Sequence, residues 1–287
     1  MTLRWLAPLL LGVGLIVGLG TKLATSAPPG GTGGRLPGKF IWHDLASEDV
    51  DASRKFYSEL LGWKFKTTTR QGHPYYLAYQ DKLPVAGLVG IPKTGTDRGD
   101  SQWVSYLSVP DLDAAVAEVS SKGGKVLVRP SNLDKAGRAA VVADPQGALL
   151  GLASTRKADP ADPSQPPMNG FFWTEYLARD AALALAFYKE LVGYESSVDA
   201  EEGGLVYYLL RRDRPRAGMF QIPASMQDIN PTWLPYVRVT DAPAAAARAE
   251  KLGGKILVAP GPGIRKGTLA VIADPTGAPL ALQQYPY

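Results

Sequence analysis

The chain has 287 residues, long enough for two domains with ordinary cores, and its 45% hydrophobic and 20% charged residues exclude intrinsic disorder. The net charge of +4 is only mildly basic. Its one tight basic cluster, 211–216, lies between apolar runs without interleaved aromatics, which reads as a solvated hairpin tip and gives no nucleic-acid partner. There are no cysteines, so disulfides, zinc-thiolate sites, cysteine nucleophiles and a lipidated N-terminal cysteine are all excluded.

Residues 1–37 are expected to stand outside the fold. One early Arg precedes 16 uncharged residues, Trp5 to Gly20. That run falls short of the roughly 20 apolar residues of a spanning helix and fits the core of a signal peptide. Thr25 and Ala27 are the small residues of a cleavage site, although Pro28 directly after them is unfavourable. Export to a periplasmic or extracellular location is therefore expected. The alternative is an uncleaved segment, with residues 3–20 as a membrane tether. A Gly- and Pro-rich flexible stretch leads to the first strand.

From there the sequence repeats itself. Trp42, Phe56, Leu60, Gly62 and Gly87 recur as Trp173, Phe187, Leu191, Gly193 and Gly218, each 131 residues later. Trp103, Tyr106, Asp111 and Gly124 recur 130 residues later, and the DPQGA run at 144 returns at the same offset as DPTGA. Two units follow, 38–155 and 169–287, joined by a Pro-rich linker at 156–168.

Each unit halves again. Around "KFIWHDLA" a strand is predicted, then a helix capped by Asp49 and stopped by Gly62, with Phe56, Tyr57, Leu60 and Leu61 on its apolar face. Strands are predicted near 63–69, 74–80 and 85–91. The second half opens on the strand "WVSYLSV", continues with a helix capped by Asp111 and stopped at Gly123-Gly124, and closes with strands near 124–129, 138–143 and 148–154. The Asp144–Gly147 turn makes the last hairpin. The order β-α-β-β-β, four times over, implies an α+β architecture with helices on one face of antiparallel-rich sheets.

These residues resemble the vicinal oxygen chelate superfamily, which contains glyoxalase I, bleomycin-resistance proteins and extradiol dioxygenases. The resemblance rests on "FY..L.GW", on "DP.GA", and on "WVSYLSVPD" with its partner "WLPYVRVTD", and it spans nearly all of 38–287. It implies that paired modules curl their sheets into cups with helices outside, two cups in all. It also implies, for catalytic members, a divalent metal held by His and Glu on opening and closing strands. The matched positions here are Trp42, Val104, Gly151, Trp173, Leu234 and Ala281, none of which binds a metal. No cofactor is therefore expected.

Strand parity then separates the candidates. With Trp42 pointing into the cup, His43 faces the helix-covered side, as a buried histidine with a hydrogen-bond partner. His73 falls on a hairpin at the cup rim. Asp44 and Glu175 point inward, as do Tyr106 and Tyr236, with Ser108 and Arg238 two residues beyond. Trp42, Tyr106, Ser108, Trp173, Tyr236 and Arg238 are thus expected to line ligand sites, with Arg238 facing either Glu175 or an anionic ligand. The leading expectation is an exported, metal-free binder of a small molecule. A lyase or isomerase using Asp44 or Glu175 as general base is the alternative, as is a metal-dependent lyase or dioxygenase with a displaced site. Acid and tyrosine could equally hydrogen-bond each other and plug the cup.

Overall fold

A computed structural model describes residues 34–93, 101–133, 136–202, 205–223, 229–263 and 265–285. The signal or anchor segment and most of the tether lie outside the described residues. No described helix is long and apolar enough to cross a membrane.

The first unit contains β1 (Phe40–Ser47), α1 (Val50–Leu61), β2 (Lys64–Arg70), β3 (His73–Gln80), β4 (Leu83–Gly90), β5 (Gln102–Ser108), α2 (Leu112–Ser121), β6 (Lys125–Asn132), β7 (Gly137–Ala143) and β8 (Leu149–Thr155). The second contains β9 (Phe171–Ala178), α3 (Ala181–Val192), β10 (Glu195–Glu202), β11 (Leu205–Arg211), β12 (Pro215–Gln221), β13 (Thr232–Val239), α4 (Ala242–Lys251), β14 (Lys255–Val258), β15 (Leu269–Ala273) and β16 (Pro279–Gln284). Each of the four described α-helices begins at an Asp whose carboxylate accepts from a first-turn N–H: Asp49, Asp111, Asp180 and Asp241. Gly62 and Gly193, both at φ 73°, end α1 and α3 in the left-handed conformation that glycine adopts without a Cβ penalty.

Each unit folds into its own eight-stranded sheet, ordered β2-β3-β4-β1-β5-β8-β7-β6 in the first and likewise in the second. The two modules of a unit join where their opening strands pair antiparallel, β1 with β5 and β9 with β13. The expected α+β arrangement of two curled half-barrels is thus the one observed.

The helix-bearing faces of the two sheets meet, and they meet crosswise. One core cluster joins α1 residues Phe56, Tyr57 and Leu61 to Ala242, Ala246 and Ala249 of α4. The other joins Leu112, Ala115 and Val119 of α2 to Ala184, Phe187 and Leu191 of α3. The DP.GA turns lock this seam. Asp144 Oδ2 accepts from Tyr176 (2.5 Å) and Tyr188 (2.8 Å) of the other unit, and Tyr188 in turn accepts from Trp233 Nε1 (2.8 Å). Reciprocally, Asp274 accepts from Ser53 Oγ (3.0 Å) and from Tyr57, which takes the Trp103 indole N–H at 3.1 Å. The concave faces are left on the outside, where each forms a cup.

The two cups differ. The second is filled by its own apolar cluster, including Leu257, Leu269, Val271 and Ala281. The first has no such cluster among the described residues, and Val128 on its edge strand is 50% exposed. The cause is local sequence. In the first unit β6 runs for 8 residues, whereas β14 stops after 4, ahead of Pro260-Gly261-Pro262. The chain freed by that stop carries Arg265, in a turn of positive φ, back into the second cup.

Candidate functional site

In the first cup Asp44 sits on β1, 4% exposed, opposite Gly87 of β4 and Val104 of β5. Its Oδ1 accepts from Trp42 Nε1 at 2.7 Å and from Tyr75 Oη at 2.5 Å, and its Oδ2 accepts from Arg70 Nη1 at 3.0 Å. Tyr106 also hydrogen-bonds this carboxylate. The Arg70 guanidinium stacks over Tyr75, 3.7 Å from the ring centroid. Burial, with the Asp44 charge adding to it, pushes the phenols of Tyr75 and Tyr106 well up, so both remain protonated donors. Gly87 makes the cluster fit: a Cβ there would stand 1.8 Å from Tyr75 Oη and 2.2 Å from Asp44 Oδ1. Beside this cluster opens a cavity of about 570 Å³ lined by Asp44, Arg70, His73, Tyr75, Tyr106 and Val128, among others.

The second cup repeats the chemistry in closed form. Glu175 is wholly buried; it accepts from Tyr207 (2.9 Å), from Tyr236 and from Arg265. Gly218 makes the same room as Gly87, since a Cβ there would lie 1.9 Å from Tyr207 Oη. The side chain of Arg265 is 5% exposed, against 28% for Arg70, so the second acid is plugged and the first is reachable.

The structure therefore brings Trp42, Asp44 and Tyr106 together, and likewise Trp173, Glu175 and Tyr236. Ser108 and Arg238 face the same way but hold the linker. Ser108 Oγ donates to Asp159 Oδ2 at 2.5 Å, and Arg238 donates to the carbonyls of Pro166 (2.6 Å) and Tyr285 (2.7 Å). The guanidinium paired with Glu175 belongs to Arg265, not Arg238. The basic hairpin is exposed at residues 211–213, as expected of a solvated tip, but Arg214 and Arg216 turn to the linker and clamp Asp162 at 3.2 and 2.8 Å, with only 4% of the Arg216 side chain exposed.

Four residues of the two clusters escaped the sequence reading. Tyr75 and Tyr207 open "YYL" in both copies, a visible signal, but their spacing of 132 breaks the constant offset. Arg70 ends β2 of a first module, while Arg265 precedes β15 of a second module, so the same task is filled from positions that duplication does not relate.

His43 lies on the helix side, 6% exposed, with Nδ1 3.0 Å from Ser105 Oγ and its ring stacked on Phe171 at 4.0 Å. Burial lowers its pKa from 6.5 to about 3, so it is neutral. The unfolded chain takes up this proton below pH 6.5, whereas the folded chain does not until about pH 3. His43 therefore favours folding fully above pH 6.5, and that contribution is lost as the pH falls, at about 1.4 kcal/mol per pH unit. Urea titrations across the acid range should show this slope in the wild type and a shallower one in His43→Phe.

The description of the Glyoxalase/Bleomycin resistance protein/Dioxygenase superfamily matches residues 39–152 and 170–282, and the chain belongs to that superfamily. "Putative glyoxylase CFP32" of Mycobacterium bovis is 31% identical over 239 residues, covering 83% of this chain and 91% of that protein. "Anthracycline biosynthesis protein DauV" of a Streptomyces species is 28% identical, covering 84% and 91%. Among solved structures, the Mn(II)-bound glyoxalase of Novosphingobium aromaticivorans aligns with a TM-score of 0.55 at 16% identity, covering 86% of this chain and 82% of that one. At that identity the likeness is one of fold.

The residues present do not fit a divalent metal in either cup. Each cup has one acid at its centre, already held by tyrosine and arginine donors. The Tyr106 ring occupies the space a longer side chain at Gly151 would need, 2.3 Å from a Cβ there. Among the described residues no group of three or more His, Cys, Asp or Glu side chains converges.

Proposed function

We propose that the chain is an exported protein of this superfamily that binds a small organic molecule, without a metal, in the first cup beside Asp44. The observation that carries the reading is the open cavity of about 570 Å³ against the Asp44, Arg70, Tyr75 and Tyr106 cluster. That volume lies within the roughly 300–1,000 Å³ range of small-molecule sites. Export rests on the N-terminal sequence alone, an uncharged run followed by small residues.

Binding is favoured over base catalysis by the state of Asp44. Both carboxylate oxygens already accept charged or neutral donors, which leaves little capacity to take a substrate proton. Asp44 serves instead to fix its partners. Arg70 keeps N–H groups beyond the one given to Asp44, and the Tyr106 oxygen, its proton committed to Asp44, can accept from a ligand. A ligand with a carbonyl near Arg70 and an apolar body against Val128 suits that surface, and a small organic ligand accords with the names of the relatives.

The test is a thermal-shift screen of small carbonyl and aromatic compounds, followed by titration of the hits. Arg70→Gln and Gly87→Ala are expected to weaken the hits at least tenfold, the first by removing donors and the second by driving Tyr75 and Asp44 apart. Hits whose affinity neither variant changes would overturn the reading.

A further inference from the structure

The second unit has a cavity of its own, about 490 Å³, but it is not at the plugged acid. It lies between the linker residues Asp162–Pro166 and the mouth of the cup, against Trp173, Arg238 and Gln283. Two features point to a ligand there, and neither depends on the first cup.

The first is Gln283. It is fully buried on β16, and its Oε1 accepts from Arg265 Nη1 at 2.5 Å. A guanidinium has only donors, so this bond fixes the orientation of the carboxamide and directs Nε2 away from Arg265. Nε2 is buried without an acceptor. Leaving such a group unpaired costs stability, and an acceptor in the cavity would remove that cost.

The second is Arg238, the register partner of Gln283 on the neighbouring parallel strand, so both side chains project from the same face. Its hydrogen bonds go to the two backbone carbonyls of Pro166 and Tyr285, and among the described residues it pairs with no acid. Nearby, Lys39, Arg214 and Arg216 pair with Asp162, Arg216 pairs with Asp213 as well, and Asp199 also lines the cavity, so with Arg238 four positive charges face three negative ones. The mouth is thus positive overall, and the walls beside it are aromatic: Phe172 and Tyr285 pack with ring centroids 5.4 Å apart.

We propose that this cavity binds a carboxylate carried on a flat aromatic body. One carboxylate oxygen accepts from Gln283 Nε2, the negative charge faces Arg238, and the ring lies along Phe172 and Trp173. A neutral carbonyl compound would satisfy the amide but not the charge, so the acid is the better ligand.

Titration of the full chain by calorimetry with benzoate, phenylacetate and 2-naphthoate, each beside its methyl ester, tests this. At least one acid is expected to bind saturably and its ester at least tenfold more weakly. Gln283→Glu keeps the bond to Arg265, removes the free donor and adds a like charge, and should abolish binding. Arg238→Gln should weaken binding at least tenfold, and Asp111→Ala, at an exposed helix cap lining neither cavity, should leave it unchanged. The proposal is overturned if none of the three acids binds, if an ester binds as well as its acid, or if Arg70→Gln removes binding while Gln283→Glu does not. That last result would place the acid in the first cup.

Discussion

Replacing Glu175 with leucine is expected to destabilise the protein by about 3–5 kcal/mol, the cost of leaving one member of a buried ion pair without its partner. Glu175 is completely buried, and Arg265 reaches it from a turn held at positive φ at both Arg265 and Lys266. Once the carboxylate is gone, the guanidinium stays in the cup without its counter-charge, while Gln283 still accepts from it, and the hydroxyls of Tyr207 and Tyr236 lose their acceptor. The double variant Glu175→Leu with Arg265→Met removes both charges and should recover most of the loss, since apolar replacements of similar volume often match a buried pair. Urea denaturation of wild type, single and double variants measures this directly. A single variant within about 1 kcal/mol of wild type would mean that Glu175 is not the buried partner described. Asp44 makes the contrast, because Arg70 is partly exposed and can turn to water when the acid is removed.

A loss of similar size is expected from Asp144→Ala, at a position far from either cup. Asp144 accepts from Tyr176 and Tyr188 across the seam, and its other oxygen takes the backbone N–H groups of Gln146 (2.8 Å) and Ala148 (2.9 Å). Alanine would strand two buried hydroxyls and undo the turn, at about 1–3 kcal/mol for each stranded group. The control is Asp111→Ala, an exposed N-cap worth about 1 kcal/mol. Because Asp144 joins the two units, the variant should lower the unfolding midpoint as a single cooperative transition. Equal effects of the two variants would contradict its role as the tie between units.

The parts of the fold set by local chemistry could be read from the sequence. Four Asp caps, two glycine stops and the recurrence of Trp42 as Trp173 define the four modules, and strand parity places Asp44 inward and His43 outward. Long-range features could not be read. Nothing local shows that α1 packs on α4 and α2 on α3, or that Arg214 and Arg216 return to the linker. The difference between the cups hinges on where one strand stops. Pro260-Gly261-Pro262 is visible as a break, yet only the folded chain shows that the freed loop lays Arg265 over Glu175. Arg238 has the expected parity but reaches two carbonyls sooner than the acid, because the linker and the C-terminal residues pass closer to it.

In the proposed function the first cup binds its ligand with Arg70, Tyr75 and Tyr106 positioned by Asp44, and without a metal. This is tested most directly by measuring affinity for a first-cup ligand on protein stripped with a chelator, with metal content determined on the same sample. The expected result is far less than one metal per chain and an affinity equal to that of protein supplied with Mn²⁺ or Zn²⁺. A stoichiometric metal whose removal abolishes binding would contradict it.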